Sequence, residues 1–295
     1  MYRLSRTMVQ STDPALLNLH AIAKAQAIAH ELTSMGASTL EQAIERGSLI
    51  DHAAFGRGKY GALGAFYAPF DWVNPQADVI LIGITPGTRQ AKTGLLSLRN
   101  SLLSGRTDVQ FVGQALAAAK AAASFDGQMR DIAAKLMNCF SIHHVLGLRD
   151  SADLFGSASN RAHYTSVYRY PVLQNKKGVW KNYPGGEDQQ ARSHPLLRSS
   201  VNENLIAELR CFPNAWLIPF GPTPAAILHE LSITGTVDGE RILAGLNHPT
   251  GTQMNRHNCQ LDLADHGSCA KNVGCIKLQA RSSELRVKVA NILMK

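Results

Sequence analysis

Apolar positions along this chain follow two rhythms, one helical and one of short, nearly continuous runs. Over residues 14–46, Leu16, Leu17, Ile22, Ala23, Ile28 and Leu32 recur at the spacing of one helix face, and Pro14 suits a first turn. Helical patterns return over 110–125, which is alanine-rich, and over 127–139, 202–211, 223–231 and 281–294. Between them lie runs too short for helices. They are the β-branched run at 77–83, the polar–aromatic alternation at 164–172, the apolar run at 215–221 and a weaker one at 242–244. Strands alternating with helices predict an α/β fold of three layers, α/β/α, around a central, mostly parallel four-stranded sheet. No repeat or low-complexity linker interrupts the pattern. Residues 1–295 therefore read as a single domain with a core at about 70–260 and an N-terminal helical extension over 1–60. Residues 55–72 read as a loop-rich aromatic segment, and 174–198 as a long polar insertion.

Composition narrows the class. Hydrophobic content of 45% against 18% charged residues fits an ordinary soluble globular protein rather than a disordered one. No apolar stretch has the length of a membrane span. The chain carries 30 Lys and Arg against 22 Asp and Glu, net +8, which favours an anionic partner, nucleic acid foremost. Five cysteines, Cys139, Cys211, Cys259, Cys269 and Cys275, contain no Cys-x-x-Cys pair. With no secretory leader read at the N-terminus, they are expected to be reduced thiols of a cytoplasmic protein. His257, Cys259, His266, Cys269 and Cys275 invite a zinc reading, but their spacing fits no standard ligand pattern, so no metal is expected.

Two segments carry the candidate chemistry. Gly83-Ile84-Thr85-Pro86-Gly87 follows the first strand-like run, and Gly245-Leu246-Asn247-His248-Pro249-Thr250-Gly251-Thr252 follows the last. Turns at the carboxyl ends of parallel strands meet at the sheet edge where open α/β folds build sites. Each turn alone is compatible with a connection that does no chemistry. A phosphate loop is excluded because Ala91, not glycine, precedes Lys92, and the serine-hydrolase elbow is absent. His248 stands ahead of Thr250, Gly251, Thr252, Asn255 and Arg256, the hydroxyls, amides and guanidinium that grip phosphates.

Taken in order, Gly-Ile-Thr-Pro-Gly, Thr165-Ser166, Leu217-Ile218-Pro219-Phe220-Gly221 and Asn-His-Pro-Thr-Gly resemble the uracil-DNA glycosylase superfamily over roughly 70–260. The resemblance implies that Thr85 holds a water for attack on the sugar, assisted by Gln90. It implies that His248 steadies the departing base and that Thr250 binds a DNA phosphate. Thr85 stands where that family usually has Asp, Asn or Glu, and a hydroxyl orients water but is a poor base. Gly83, Ile84, Pro86, Gly87, Phe70, Thr165 and Ser166 would form the base pocket. Arg89, Lys92, Gly251, Thr252, Gln253, Met254, Asn255 and Arg256 would touch DNA, with Met254 or Gln253 as a wedge for the gap left by an extruded base. The implied activity is hydrolysis of the glycosidic bond of a flipped uracil-type or modified pyrimidine, such as the glucosylated hydroxymethylcytosine of phage DNA. It needs no cofactor, and the expected protein is a monomer partnered by DNA and not by a membrane. The competing class is a binding module that recognises an extruded base without cutting.

Overall fold

The computed structural model describes residues 13–186 and 193–295; part of the polar insertion and the first twelve residues of the N-terminal extension lie outside them. The first helical pattern resolves into two helices, α1 (Pro14–Ser34) and α2 (Ala37–Arg46), broken at Met35-Gly36. Asp13 caps α1 by accepting from the amide of Ala15, with Pro14 in the first turn, where its missing N–H costs nothing. Next come β1 (Gly56–Tyr60), β2 (Leu63–Phe66) and β3 (Val79–Gly83). After them run α3 (Thr88–Leu102), α4 (Val109–Ala123), α5 (Gln128–Cys139) and the single turn α6 (Ile142–Val145).

The second half opens with β4 (Ala162–Ser166), β5 (Val172–Lys176) and β6 (Val179–Asn182). Helix α7 (Pro195–Ser200) passes through a π-helical turn, Val201–Leu205, into α8 (Ile206–Leu209). The chain then forms β7 (Trp216–Pro219), α9 (Pro222–Ile233), α10 (Met254–Gln260) and α11 (Cys275–Leu293).

Two sheets result. The central one is parallel and three-stranded, in the order β4-β3-β7, with Leu81 in register with Tyr164 on one side and Ile218 on the other. The expected fourth strand at 242–244 is reduced to one parallel bridge between Leu217 and Ile242. Gly245, at φ +139°, turns the chain away where any side chain would strike the carbonyl of Arg281 and the side chain of Leu285. Alternation along β3 divides the core, as the two-residue period of a strand requires. Ile80 and Ile82 face a cluster containing Leu209 of α8 and Ile227, Leu228 and Leu231 of α9. Val79 and Leu81 face Ile132, Leu136 and Met137 of α5 and Leu285 and Val289 of α11. Helices α1 and α2 pack on α3 and α4 in a further apolar cluster that includes Ile28, Leu40, Leu98 and Leu116.

The second sheet corrects the sequence reading. Residues 56–66, within the segment read as loop-rich, and 172–182, at the start of the polar insertion, are two hairpins joined in an antiparallel sheet of order β1-β2-β5-β6, while 67–72 remains without strand or helix. The run at 164–172 is likewise not one strand. It belongs to β4 at its start and to β5 at its end, with the chain crossing between sheets in between. Among the described residues no helix is long and apolar enough to cross a membrane.

Candidate functional site

The loop leaving β3 is held by the second sheet. Gln90 accepts from the amide of Gly87 and closes the first turn of α3, and Asn182 at the end of β6 accepts from the amide of Thr88. The Thr85 hydroxyl donates to the carbonyl of Tyr170 at 2.9 Å and accepts from the amide of Val172 at 3.0 Å. Its one proton is thereby committed to the backbone that leads into β5. Thr85 pins the loop, and the expected holding of a water by this hydroxyl competes with both of these bonds.

A small cavity of about 20 Å³, room for one water, opens beside the loop. Phe70, Pro86, Thr165 and Ser166 of the expected base pocket line it, with Gln90, Ser124, Phe125, Tyr164 and Arg169. Gly83 sits against the Ser166 hydroxyl, whereas Ile84 packs into the apolar layer and Gly87 lies against Asn182. Phe125 adopts φ +52°, a left-handed backbone that a bulky residue takes only when its surroundings impose it. Its ring is clamped by Phe155, Tyr164 and Phe220.

Behind the cavity stands a fully buried carboxylate, Glu208 of α8. It accepts from Thr165 at 2.8 Å and from Arg169 at 3.0 Å, meets His163 at 2.6 Å, and lies 3.4 Å from the ammonium of Lys120. Burial alone would raise its pKa; Arg169, Lys120 and His163 outweigh that and hold it well below the usual carboxylate range. His163 is driven down to about 4 by burial and then by Lys120. Its Nδ1 accepts from the amide of Asn74, so the neutral ring donates from Nε2 to Glu208. Arg169, on the cavity wall, leaves its buried Nε without a hydrogen-bond partner.

The second turn is braced from below. The amide of Asn247 donates to Gln260 and its side chain to Gln253; Gln260 in turn donates to the carbonyl of Gly245. His257 donates from Nε2 to the carbonyl of Thr250. His248 projects beside Gly221, where an added methyl would lie 3.4 Å from its Cβ. Burial, and then His257, lower its pKa to about 4, so the imidazole is neutral at pH 7. No side-chain hydrogen bond joins it to another described residue.

The two turns occupy the same edge of the parallel sheet. The amide of Phe220 donates to Ile82 and that of Gly221 to Leu246, so the end of β7 lies between them. A second connection runs over the surface: Arg89 pairs with Asp126 at 3.3 Å, and a methyl at Gly251 would lie 2.9 Å from Oε1 of Gln128, two residues beyond Asp126. Gly251, Thr252, Gln253, Met254, Asn255 and Arg256 line a separate surface concavity of about 410 Å³ with Asn272 and Val273. The hydroxyls of Thr250 and Thr252 are 3.3 Å apart, and Met254 is half exposed. Lys92 does not join this surface; its ammonium lies between Glu45 and Glu41 of α2.

The His/Cys group also differs from its sequence reading. His257 is drawn to Thr250, while Cys259, His266, Cys269 and Cys275 bring their ligand atoms within 4.8 Å of one another. Spacing along the chain hid this convergence, because the segment between α10 and α11 folds back on itself.

Over 196 residues, 66% of this chain and 73% of the relative, the sequence is 31% identical to the uncharacterized protein YoxB of Bacillus subtilis (strain 168). The chain belongs to the same family as YoxB. No family model and no solved structure matches it.

Proposed function

We propose that this chain is a monofunctional DNA glycosylase of the uracil-DNA glycosylase type, acting as a cytoplasmic monomer on a flipped uracil-type or modified pyrimidine. The observation that carries the reading is His248: a neutral, mostly buried imidazole on a rigid turn at the carboxyl edge of a parallel sheet, beside a second glycine-proline turn. A neutral imidazole donates a hydrogen bond to a pyrimidine oxygen as the glycosidic bond breaks and charge collects on the base. Water then adds to the sugar carbon, its proton leaves with the base, and an abasic site remains. Removing such a donor lowers turnover about a hundredfold or more.

With the Thr85 proton bound to Tyr170, the water place falls to the small cavity whose walls include Gln90, Thr165 and Ser166. Thr250, Thr252 and Arg256 line or border a concavity suited to a sugar-phosphate strand, and Met254 offers an exposed apolar wedge. A modified base rather than plain uracil suits the altered first turn.

A specific observation favours the second reading, a module that recognises an extruded base without cutting: the Thr85 hydroxyl is engaged by the backbone of Tyr170 and Val172 rather than free to hold a water. The cavity has room for about one water, so in either reading a base requires the pocket to widen. One experiment separates the two. Purified protein and its His248→Ala variant are incubated with uracil-containing DNA and with phage DNA bearing modified cytosine. Alkali-labile abasic sites from the wild type alone, with equal DNA binding by both, support the enzyme. Binding without abasic sites on any DNA identifies the module.

A further inference from the structure

We propose that Cys259, His266, Cys269 and Cys275 bind one zinc ion that holds the segment between α10 and α11 in place. This site is independent of the glycosylase reading. The Sγ atoms of Cys259 and Cys275 are 3.1 Å apart, and Nδ1 of His266 lies 3.6 Å and 3.5 Å from them. A tetrahedral zinc with Zn–S near 2.3 Å and Zn–N near 2.0 Å separates its ligand atoms by roughly 3.5–3.8 Å. A spread within 4.8 Å therefore matches a single ion. Three soft thiolates and one imidazole select zinc over the oxygen-loving cations and close the coordination sphere, as in structural sites.

The surroundings are built for a ligand as well. His266 presents Nδ1 to the sulfurs, while its Nε2 meets Oδ1 of Asp262 at 3.1 Å. That carboxylate is fixed in turn by Arg286 at 2.6 Å. A carboxylate behind the distal nitrogen sets the tautomer of a metal-bound histidine. Gln279 directs its amide toward the Cys259 sulfur at 3.7 Å, and Cys275 opens α11, where the helix dipole favours a thiolate.

Physical need points the same way. The apolar cluster under this segment contains three buried residues, Cys259, Val273 and Leu278, with Cys269 and Cys275 at its margin. Residues 261–274 carry two short 3-10 turns and no longer element. So little burial does not fix a fourteen-residue connection, whereas one metal ion does. The connection also supplies Asn272 and Val273 to the concavity formed by 251–256, and Arg256 donates to the carbonyl of Asn272. The ion would thus stand behind the candidate DNA-contact surface.

The test is metal analysis of the full chain, expressed without a metal-binding tag and purified without chelator. About one zinc per chain is expected, lost from Cys269→Ser and from Cys259→Ser and retained in Cys139→Ser. Cobalt titrated into metal-stripped wild type should give the intense visible bands of a tetrahedral thiolate site, which decides the matter even if the cysteine variants fold poorly. The proposal is overturned by metal-free protein with freely reactive thiols, by a Cys259–Cys275 disulfide in the mass spectrum, by iron in place of zinc, or by zinc that persists in both variants.

Discussion

A histidine on a catalytic turn is useful as a hydrogen-bond donor only if it stays neutral at working pH, and His248 does so because burial depresses its pKa to about 4. Base release should therefore be flat from pH 6 to 8 as far as this residue is concerned. A rate profile with a midpoint near the ordinary imidazole value, about 6.5, would contradict the assignment. The same depression makes a stability statement. The unfolded chain takes up a proton on this imidazole near pH 6.5, the folded one only near 4, so stability declines as pH falls through that window. His163, also at about 4, adds a loss of the same sign. Melting temperature should drop steadily between pH 6.5 and 4, and a constant value there would show that neither ring is held neutral. Glu208 is the most consequential buried charge. Replacing it with alanine strands Arg169 and Lys120 without their counter-charge, a loss of about 3–5 kcal/mol in urea unfolding. A loss below about 1 kcal/mol would mean the cations find water instead.

At the scale of elements, the first turn is positioned by a sheet that the sequence did not announce. Hairpins β1–β2 and β5–β6 contain the glycines and lysines that read as loop, and their strands are short, so alternation had little length in which to show. The parallel strands β3 and β7 were legible because they are buried on both faces and read as apolar runs. The turns at 83–87 and 245–252 were legible from their glycines and prolines. Arg169 and Glu208 were not, since the carboxylate's partners stand 39 to 88 positions away in the chain and meet only through packing. Thr85 tests the link between sheet and turn. Thr85→Val removes its bonds to Tyr170 and Val172 and should cost about 1–2 kcal/mol, whereas Thr85→Ser should keep most of that stability. If the valine variant loses base release in proportion to folded fraction, Thr85 is a positioning residue. A loss of turnover in fully folded protein would return it to the reacting atoms.

Charge belongs to the whole molecule, and its placement decides what a polyanion meets. The net charge of +8 already discounts paired cations such as Lys59 with Asp51, Arg161 with Asp78, Arg286 with Asp262 and Lys92 with Glu45, so what matters is where the remaining cations lie. Arg89 is largely exposed despite Asp126 nearby, and Arg256 borders the concavity beside Met254. A protein that neutralises Z phosphates loses affinity with salt at a slope of about −0.9 Z, so each true contact is countable. Arg89→Ala and Arg256→Ala should each lower the salt slope of DNA binding by about one, measured by fluorescence anisotropy across a salt series. Lys92→Ala should leave the slope unchanged, because its ammonium faces α2 rather than the sheet edge. If Lys92 proves to be the contact and the two arginines do not, the DNA runs over the α2–α3 face, and neither the His248 turn nor the 251–256 concavity lies along its path.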